Sequence, residues 1–170
     1  FAPAWAGWAN ADVVLAFTGP DRTRSLADSE VHARMAVALD DSLGTAHAAL
    51  GHSYWQQWRW QQAEASFRRG IAFAGGASVT HQLYGLYLAS VARKHEAIAH
   101  ATRAAEIDPL SGVINYSLAQ VYLQSGEFEA AIAQATRTLT LDRHFPLAYH
   151  TLIRANAMLG KLAEAERALA

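Results

Sequence analysis

The sequence predicts an all-α fold, a right-handed superhelical solenoid of helix-turn-helix repeats. Three observations predict it. The 170 residues are 52% hydrophobic and only 17% charged, too apolar for a disordered chain. Apolar and small residues recur every 34 positions along most of the length. Glycine, proline and aspartate fall at repeated places in that period, where one helix must stop before the next begins.

The period is visible in several ladders at once. Ala63 leads to Ala97, Ala131 and Ala165; Leu50 leads to Tyr84, Leu118 and Leu152. Gly51 leads to Gly85, Ala119 and Ile153; Trp60 leads to Lys94, Phe128 and Leu162. Phe67 leads to Ala101, Ala135 and Leu169, and Phe73 to Ile107 and Leu141. One alanine ladder would mean little in an alanine-rich chain. Several ladders in one register, without an insertion from Gly44 onward, define units 44–77, 78–111, 112–145 and an incomplete 146–170. Each unit is expected to be a helix, a tight turn and a second helix. The pairs Gly51 with Ala63, Gly85 with Ala97 and Ala119 with Ala131 put small residues where paired helices approach most closely. Ile153 opposite Ala165 breaks that pattern, so the last unit is expected to pack more loosely.

Punctuation fits the same frame. Gly126 and Gly160 sit at turns, where glycine leaves a helix with positive φ. Asp108-Pro109 ends one helix before the next starts, and Leu141-Asp142 followed by Pro146 repeats that boundary. Ala74-Gly75-Gly76 reads as a softer break. Within 2–43, Trp5 and Trp8 lie on a first amphipathic stretch, Met35 to Asp41 resembles the end of a second helix, and Thr18-Gly19-Pro20-Asp21 signals a loop. This segment is eight residues longer than the period, and the excess is expected in the turn. The reading is therefore a single array over 1–170. Because it opens on Phe1 rather than Met, it is expected to be a piece of a longer protein.

In this register the chain resembles the tetratricopeptide repeat family. More narrowly, Pro3-Ala4-Trp5-Ala6-Gly7, Ala46-His47-Ala48-Ala49-Leu50-Gly51, Trp58-Arg59-Trp60-Gln61-Gln62-Ala63-Glu64, Phe67-Arg68-Arg69 and Ile107-Asp108-Pro109-Leu110-Ser111 resemble the repeat region behind output domains in bacterial regulators. These include winged-helix transcriptional activators and repeat-containing adenylate cyclases. The resemblance implies a protein-binding scaffold, with a signalling or DNA-binding domain elsewhere in the intact protein. Two departures from the family pattern, Gly70 for an alanine and Arg93-Lys94-His95 for a glycine-containing turn, are expected to weaken local stability.

Other classes are disfavoured by composition and motif. There is no cysteine, which removes disulfides, thiolate metal sites and cysteine nucleophiles. A formal net charge of -1 gives no basic surface for nucleic acid. The longest apolar run, Val13 to Phe17, cannot cross a bilayer. No P-loop, dinucleotide fingerprint or G-x-S-x-G occurs, so neither a cofactor nor enzymatic activity is expected. No two of the eight histidines lie three or four apart, which leaves no helix with a two-His metal face. His47 and His81 occupy equivalent positions and read as structural, and Glu96 with His100 as a weak surface pair. Trp60 reads as core and Trp58 as a half-exposed substitute for the turn glycine. Glu64, Glu96, Glu127, Glu129, Glu164 and Glu166 read as a solvated outer face.

The resemblance implies that first helices line a concave groove. The candidate binding residues are His52, Trp55, Gln56, Gln82, Leu86, Tyr116, Gln120, Gln124, His150 and Arg154, with Thr45, Ser90 and Leu123 beside them. Trp55 fits core packing and ligand contact equally well. Some tetratricopeptide proteins hold chaperone carboxylates through a Lys/Asn/Arg clamp; the corresponding positions here hold Ala48, His52, Leu83, Val113 and Ser117, so that mode is not expected. An aromatic, amide-rich and nearly uncharged groove suits an extended or helical segment with apolar anchors. The partner is expected to be protein or peptide, with neither nucleic acid nor membrane, in the cytoplasm; the periplasm also fits. The alternative is a structural module that self-associates through its C-terminal end.

Overall fold

The computed structural model describes residues 1–74 and 77–167, excluding the side chains of Ala74, Glu166 and Arg167. Among the described residues there are ten helices and no strand. They are α1 (Ala2–Thr18), α2 (Arg22–Leu39), α3 (Gly44–Gln56), α4 (Trp60–Ala74), α5 (Ser78–Ser90), α6 (Lys94–Ile107), α7 (Gly112–Ser125), α8 (Phe128–Leu141), α9 (Pro146–Met158) and α10 (Leu162–Arg167). The chain divides within α5 into two compact units, Phe1–Tyr84 and Gly85–Ala170. The break read at Gly75-Gly76 and the ladder position at Leu169 lie outside the described residues.

The helices start and stop for local reasons. Asp21 caps α2 by accepting from the Arg24 backbone N–H at 2.9 Å, and Ser111 caps α7 by accepting from that of Ile114 at 3.4 Å. Pro146 occupies the first turn of α9, where its missing N–H costs nothing. The turns inside the hairpins share one backbone solution. Gly126 and Gly160 adopt φ of 85° and 72°, and Trp58 and Ala92 adopt 63° and 61°. These four residues are spaced by the sequence period, so all four hairpins after the first use a left-handed turn residue. Only two of them use the residue that does so without strain. The glycine missing from the Arg93 turn is thus replaced by Ala92.

The first hairpin corrects the expected turn insertion. Only Gly19, Pro20 and Asp21 separate α1 from α2, the same length as the Gln57–Arg59 turn. The extra length lies in the helices: α1 has 17 residues against 13 in α5, and α2 has 18 against 14 in α6. Each helix gains about one turn at 3.6 residues per turn. Both still point the same faces inward, so the register of the repeat survives.

The core of the first unit is built from small side chains. Ala6, Ala9, Ala33, Ala36, Ala46 and Ala49 are buried together across α1, α2 and α3, and Trp5, Val37, Leu43 and Leu50 pack against them. Alanine lets helix backbones approach closely, and the buried Ser29 hydroxyl donates to the Ala9 carbonyl at 2.9 Å within this layer. Beyond it, Phe67 is fully buried and stacks on Tyr84 at 5.5 Å. A Cβ on Gly51 would stand 2.9 Å from the Phe67 ring, so the small residue there serves the aromatic as well as Ala63. Gly70 is likewise a packing requirement rather than a weakness. A Cβ there would meet the Gly44 carbonyl oxygen at 2.9 Å and the Ala48 nitrogen at 3.2 Å.

In the second unit Leu123, Ala131 and Ala155 form a buried cluster, with Tyr122, Phe128 and Ile132 packed on it. α7 is buried on several sides, whereas α9 buries only Ala148, Thr151, Ala155 and Asn156. Among the described residues no helix is long and apolar enough to cross a membrane. α1 nonetheless leaves Trp8, Val14, Leu15 and Phe17 exposed, because only the stripe Ala2, Ala6, Ala9, Val13 and Ala16 faces the neighbouring helices.

Candidate binding surfaces

Each unit presents its own set of the predicted residues. In the first unit His52, Trp55 and Gln56 follow one another along α3. The His52 ring lies 5.8 Å from that of Trp55, and its Nδ1 stands 3.0 Å from Asn10 Oδ1. Asn10 is the ninth residue of α1, as His52 is the ninth of α3, so successive first helices bring equivalent positions together. Burial holds the imidazole pKa down at about 4, so His52 is neutral near pH 7 and serves as a hydrogen-bonding group. Trp55 is half-buried, and Gln82, on the same unit's part of α5, is buried. Gln56 turns toward a cleft of about 610 Å³ that it shares with Trp58 and one face of α2.

In the second unit Gln124 and Arg154 line one cleft of about 400 Å³, with Lys94, Leu123, Gly126, Phe128, Ala157 and Met158. Gln124 is exposed near the C-terminus of α7 and Arg154 is exposed on α9. The floor is apolar and the rim carries two cations and an amide. Tyr116 is half-buried and lies 5.3 Å from the Phe145 ring. Burial raises its phenol pKa, and the nearby Arg154 charge pulls the other way. Gln120 is engaged inside the fold, its Nε2 donating to the buried Thr151 hydroxyl at 2.6 Å. Leu86 is half-buried and His150 exposed.

Some contributors fall outside the first-helix pattern. Lys94 and Phe128 belong to second helices and Met158 ends α9, so a list of inward first-helix positions omits them. Lys94, Phe128 and Leu162 do share a ladder with Trp60, the first residue after each turn, and that ladder was the available signal. Asn10 belongs to the longer first hairpin, ahead of the regular 34-residue units that carry the other groove positions.

The remaining candidates take structural or surface places. His47 is 3% exposed, with Nε2 2.8 Å from the Asp41 carbonyl oxygen and its ring 5.6 Å from Phe73. Glu96 accepts from Arg93 through bonds of 2.7 and 2.6 Å, and its charge also acts on the half-buried His100, whose pKa burial holds down against the pull of Glu96. Trp60 is half-buried, and Trp58 is 71% exposed, more than expected. Among the described residues no group of three His, Asp or Glu is placed to hold a metal ion.

Residues 113–145 match the tetratricopeptide repeat family. Among solved structures, PilW, described as a widely conserved type IV pilus biogenesis factor, superposes with a TM-score of 0.76 at 22% identity, covering 94% of this chain and 74% of its own. The PilF protein of Pseudomonas aeruginosa gives 0.72 at 20% identity, with coverage of 97% and 75%. YrrB, described as a TPR protein with an unusual peptide-binding site, gives 0.66 at 17% identity, with coverage of 95% and 81%. The chain thus contains a tetratricopeptide repeat at 113–145 and has the fold of that family.

Proposed function

We propose that the chain is a binding scaffold that holds a peptide or a segment of a partner protein on its first-helix faces. Tetratricopeptide repeats present successive helices as a surface for protein partners, and binding rather than catalysis is the activity proposed. The observation that carries the reading is the cleft of about 400 Å³ in the second unit, where Gln124 and Arg154 from successive first helices flank Leu123, Phe128 and Met158. An apolar floor with a few polar groups at the rim suits one apolar anchor and the backbone beside it. The likeness to YrrB supports this use of the fold. The segments that resemble the repeat region of bacterial regulators support a place within a larger regulatory protein.

The test is a peptide-array screen with the purified chain, followed by titration of the hits. Arg154→Ala and Gln124→Ala together are expected to weaken binding at least tenfold, with helix content by circular dichroism unchanged. Wild-type affinity in the double variant would sink the assignment.

A second reading, self-association through the ends, has its own observation. Trp8, Leu15 and Phe17 are exposed on α1, and Met158 and Leu162 near the C-terminus. Light scattering over a concentration series decides it: a monomer throughout rules it out.

A further inference from the structure

The first unit carries a second cleft whose construction points to a ligand of defined charge. It lies between one face of α2 (Arg22, Leu26, Glu30, Arg34) and the turn after α3, and it encloses about 610 Å³. Three observations converge there.

The first is backbone strain. Trp58 holds φ at 63°, in the turn position occupied by Gly126 and Gly160 in later repeats. A bulky residue in the left-handed region costs roughly 1–2 kcal/mol, and such strain is concentrated at sites of function. The second is exposure. Trp58 is 71% exposed and lines the cleft, so the strained residue does not repay its cost by filling the core. Its ring meets Trp60 edge-on at 5.4 Å.

The third is charge. Glu30 receives Arg34 Nη2 at 2.8 Å and Arg59 Nη1 at 2.7 Å, so one carboxylate is shared by two guanidiniums. Burial would raise its pKa, but the hydrogen bonds from Arg34, Arg59 and Gln57 prevail and hold it down. Arg34 also donates to the Tyr54 hydroxyl at 3.1 Å, and Arg59 lies over the Tyr54 ring at 4.2 Å, which fixes both cations in place. Arg22 sits at the other end of the lining, 4.6 Å from the Phe17 ring centroid. Two arginines and one glutamate line the cleft, a net excess of positive charge beside an exposed indole.

We propose that this cleft, separate from the second-unit cleft, binds an acidic peptide segment, with one carboxylate near Arg22, a second near Arg34 and an apolar side chain between them on Trp58. Cations held in place by a half-buried carboxylate need little reorganisation to receive an anion, and an exposed tryptophan supplies the large contact area typical of binding hot spots.

Trp58→Gly is the decisive variant, because glycine is the residue the turn favours. The variant is expected to melt at or above the wild-type temperature, so a loss of binding cannot come from unfolding. The probes are two fluorescein-labelled peptides, Glu-Phe-Glu-Leu-Glu and Lys-Phe-Lys-Leu-Lys, followed by anisotropy at low salt. The acidic peptide is expected to bind at least tenfold more tightly than the basic one. Trp58→Gly and Arg22→Glu are each expected to weaken it at least fivefold, while Arg154→Ala leaves it unchanged and so separates this site from the second-unit cleft. Equal affinity for the two peptides, or wild-type affinity in both Trp58→Gly and Arg22→Glu, overturns the proposal. A dimer that Trp58→Gly dissociates also overturns it and gives the cleft to a second copy.

Discussion

Single residues carry most of what is unusual in this chain, and His52 is the sharpest case. Its imidazole is held neutral by burial, with a pKa of about 4 against an ordinary 6.5. Between those values the unfolded chain binds a proton that the folded chain refuses, so stability rises with pH across that window and flattens above it. Acidification from pH 7 to 4 is expected to cost up to about 3 kcal/mol through this group, since each pKa unit is worth about 1.4 kcal/mol. The group is partly open to solvent, so the figure is an upper bound. His52→Gln keeps a polar group near Asn10 and is expected to flatten that part of the urea-midpoint profile; an unchanged profile would assign the acid sensitivity elsewhere. The turn residues give a second test. Ala92→Gly relieves a left-handed strain of about 1–2 kcal/mol against an entropy cost of roughly 0.5–1 kcal/mol, so a gain of up to about 1 kcal/mol is expected in denaturant unfolding. Gly126→Ala should lose a similar amount, and because a Cβ there would meet nothing nearer than Lys94 Nζ at 3.9 Å, the loss measures φ alone.

At the scale of helices, the sequence was legible where chemistry repeats and opaque where geometry decides. The alanine ladder, Pro146 and the turn glycines placed the helices because each acts locally, within one or two turns of chain. The extra length of the first hairpin was not legible. Eight residues can enter a loop or be split between two helices, and only packing against α3 favours the second arrangement. Gly70 shows the same limit. A glycine inside a helix reads as a cost of about 1 kcal/mol, yet the crossing of α4 near the start of α3 leaves no room for a methyl group. Gly70→Ala is therefore expected to destabilise the chain by about 1–3 kcal/mol, against the gain that helix propensity alone would give. Thermal unfolding decides the sign. Burial also explains why the candidate surface was only partly readable: Gln82 and Gln120 occupy first-helix positions, but Gln82 is buried and Gln120 is bonded to Thr151.

Across the whole molecule the repeat makes stability a nearest-neighbour property, and that yields a testable gradient. A hairpin in the middle of such a chain buries both sides of its first helix, whereas one at the end buries a single side. α7 buries Ile114, Asn115, Ser117, Leu118, Ala119, Val121, Leu123 and Ser125, while α9 buries four residues and α10 is six residues long. Ile153 adds to this, since it stands where earlier repeats keep glycine or alanine, and it remains half-buried. The free energy of local opening should therefore fall along the second unit from α7 and α8 to α9 and α10. Native-state hydrogen exchange reads this directly: amides of Pro146–Met158 and Leu162–Arg167 should exchange well before those of Gly112–Ser125. The α9 helix contributes Arg154 and Met158 to the second-unit cleft, so a peptide bound there must draw on the least stable hairpin. Peptide binding should then slow exchange in α9 more than in α7, because ligand stabilises most what opens most easily. Uniform exchange through α7 to α10, with or without peptide, would show that the unit opens as one block and that the cleft is built on a rigid end rather than a yielding one.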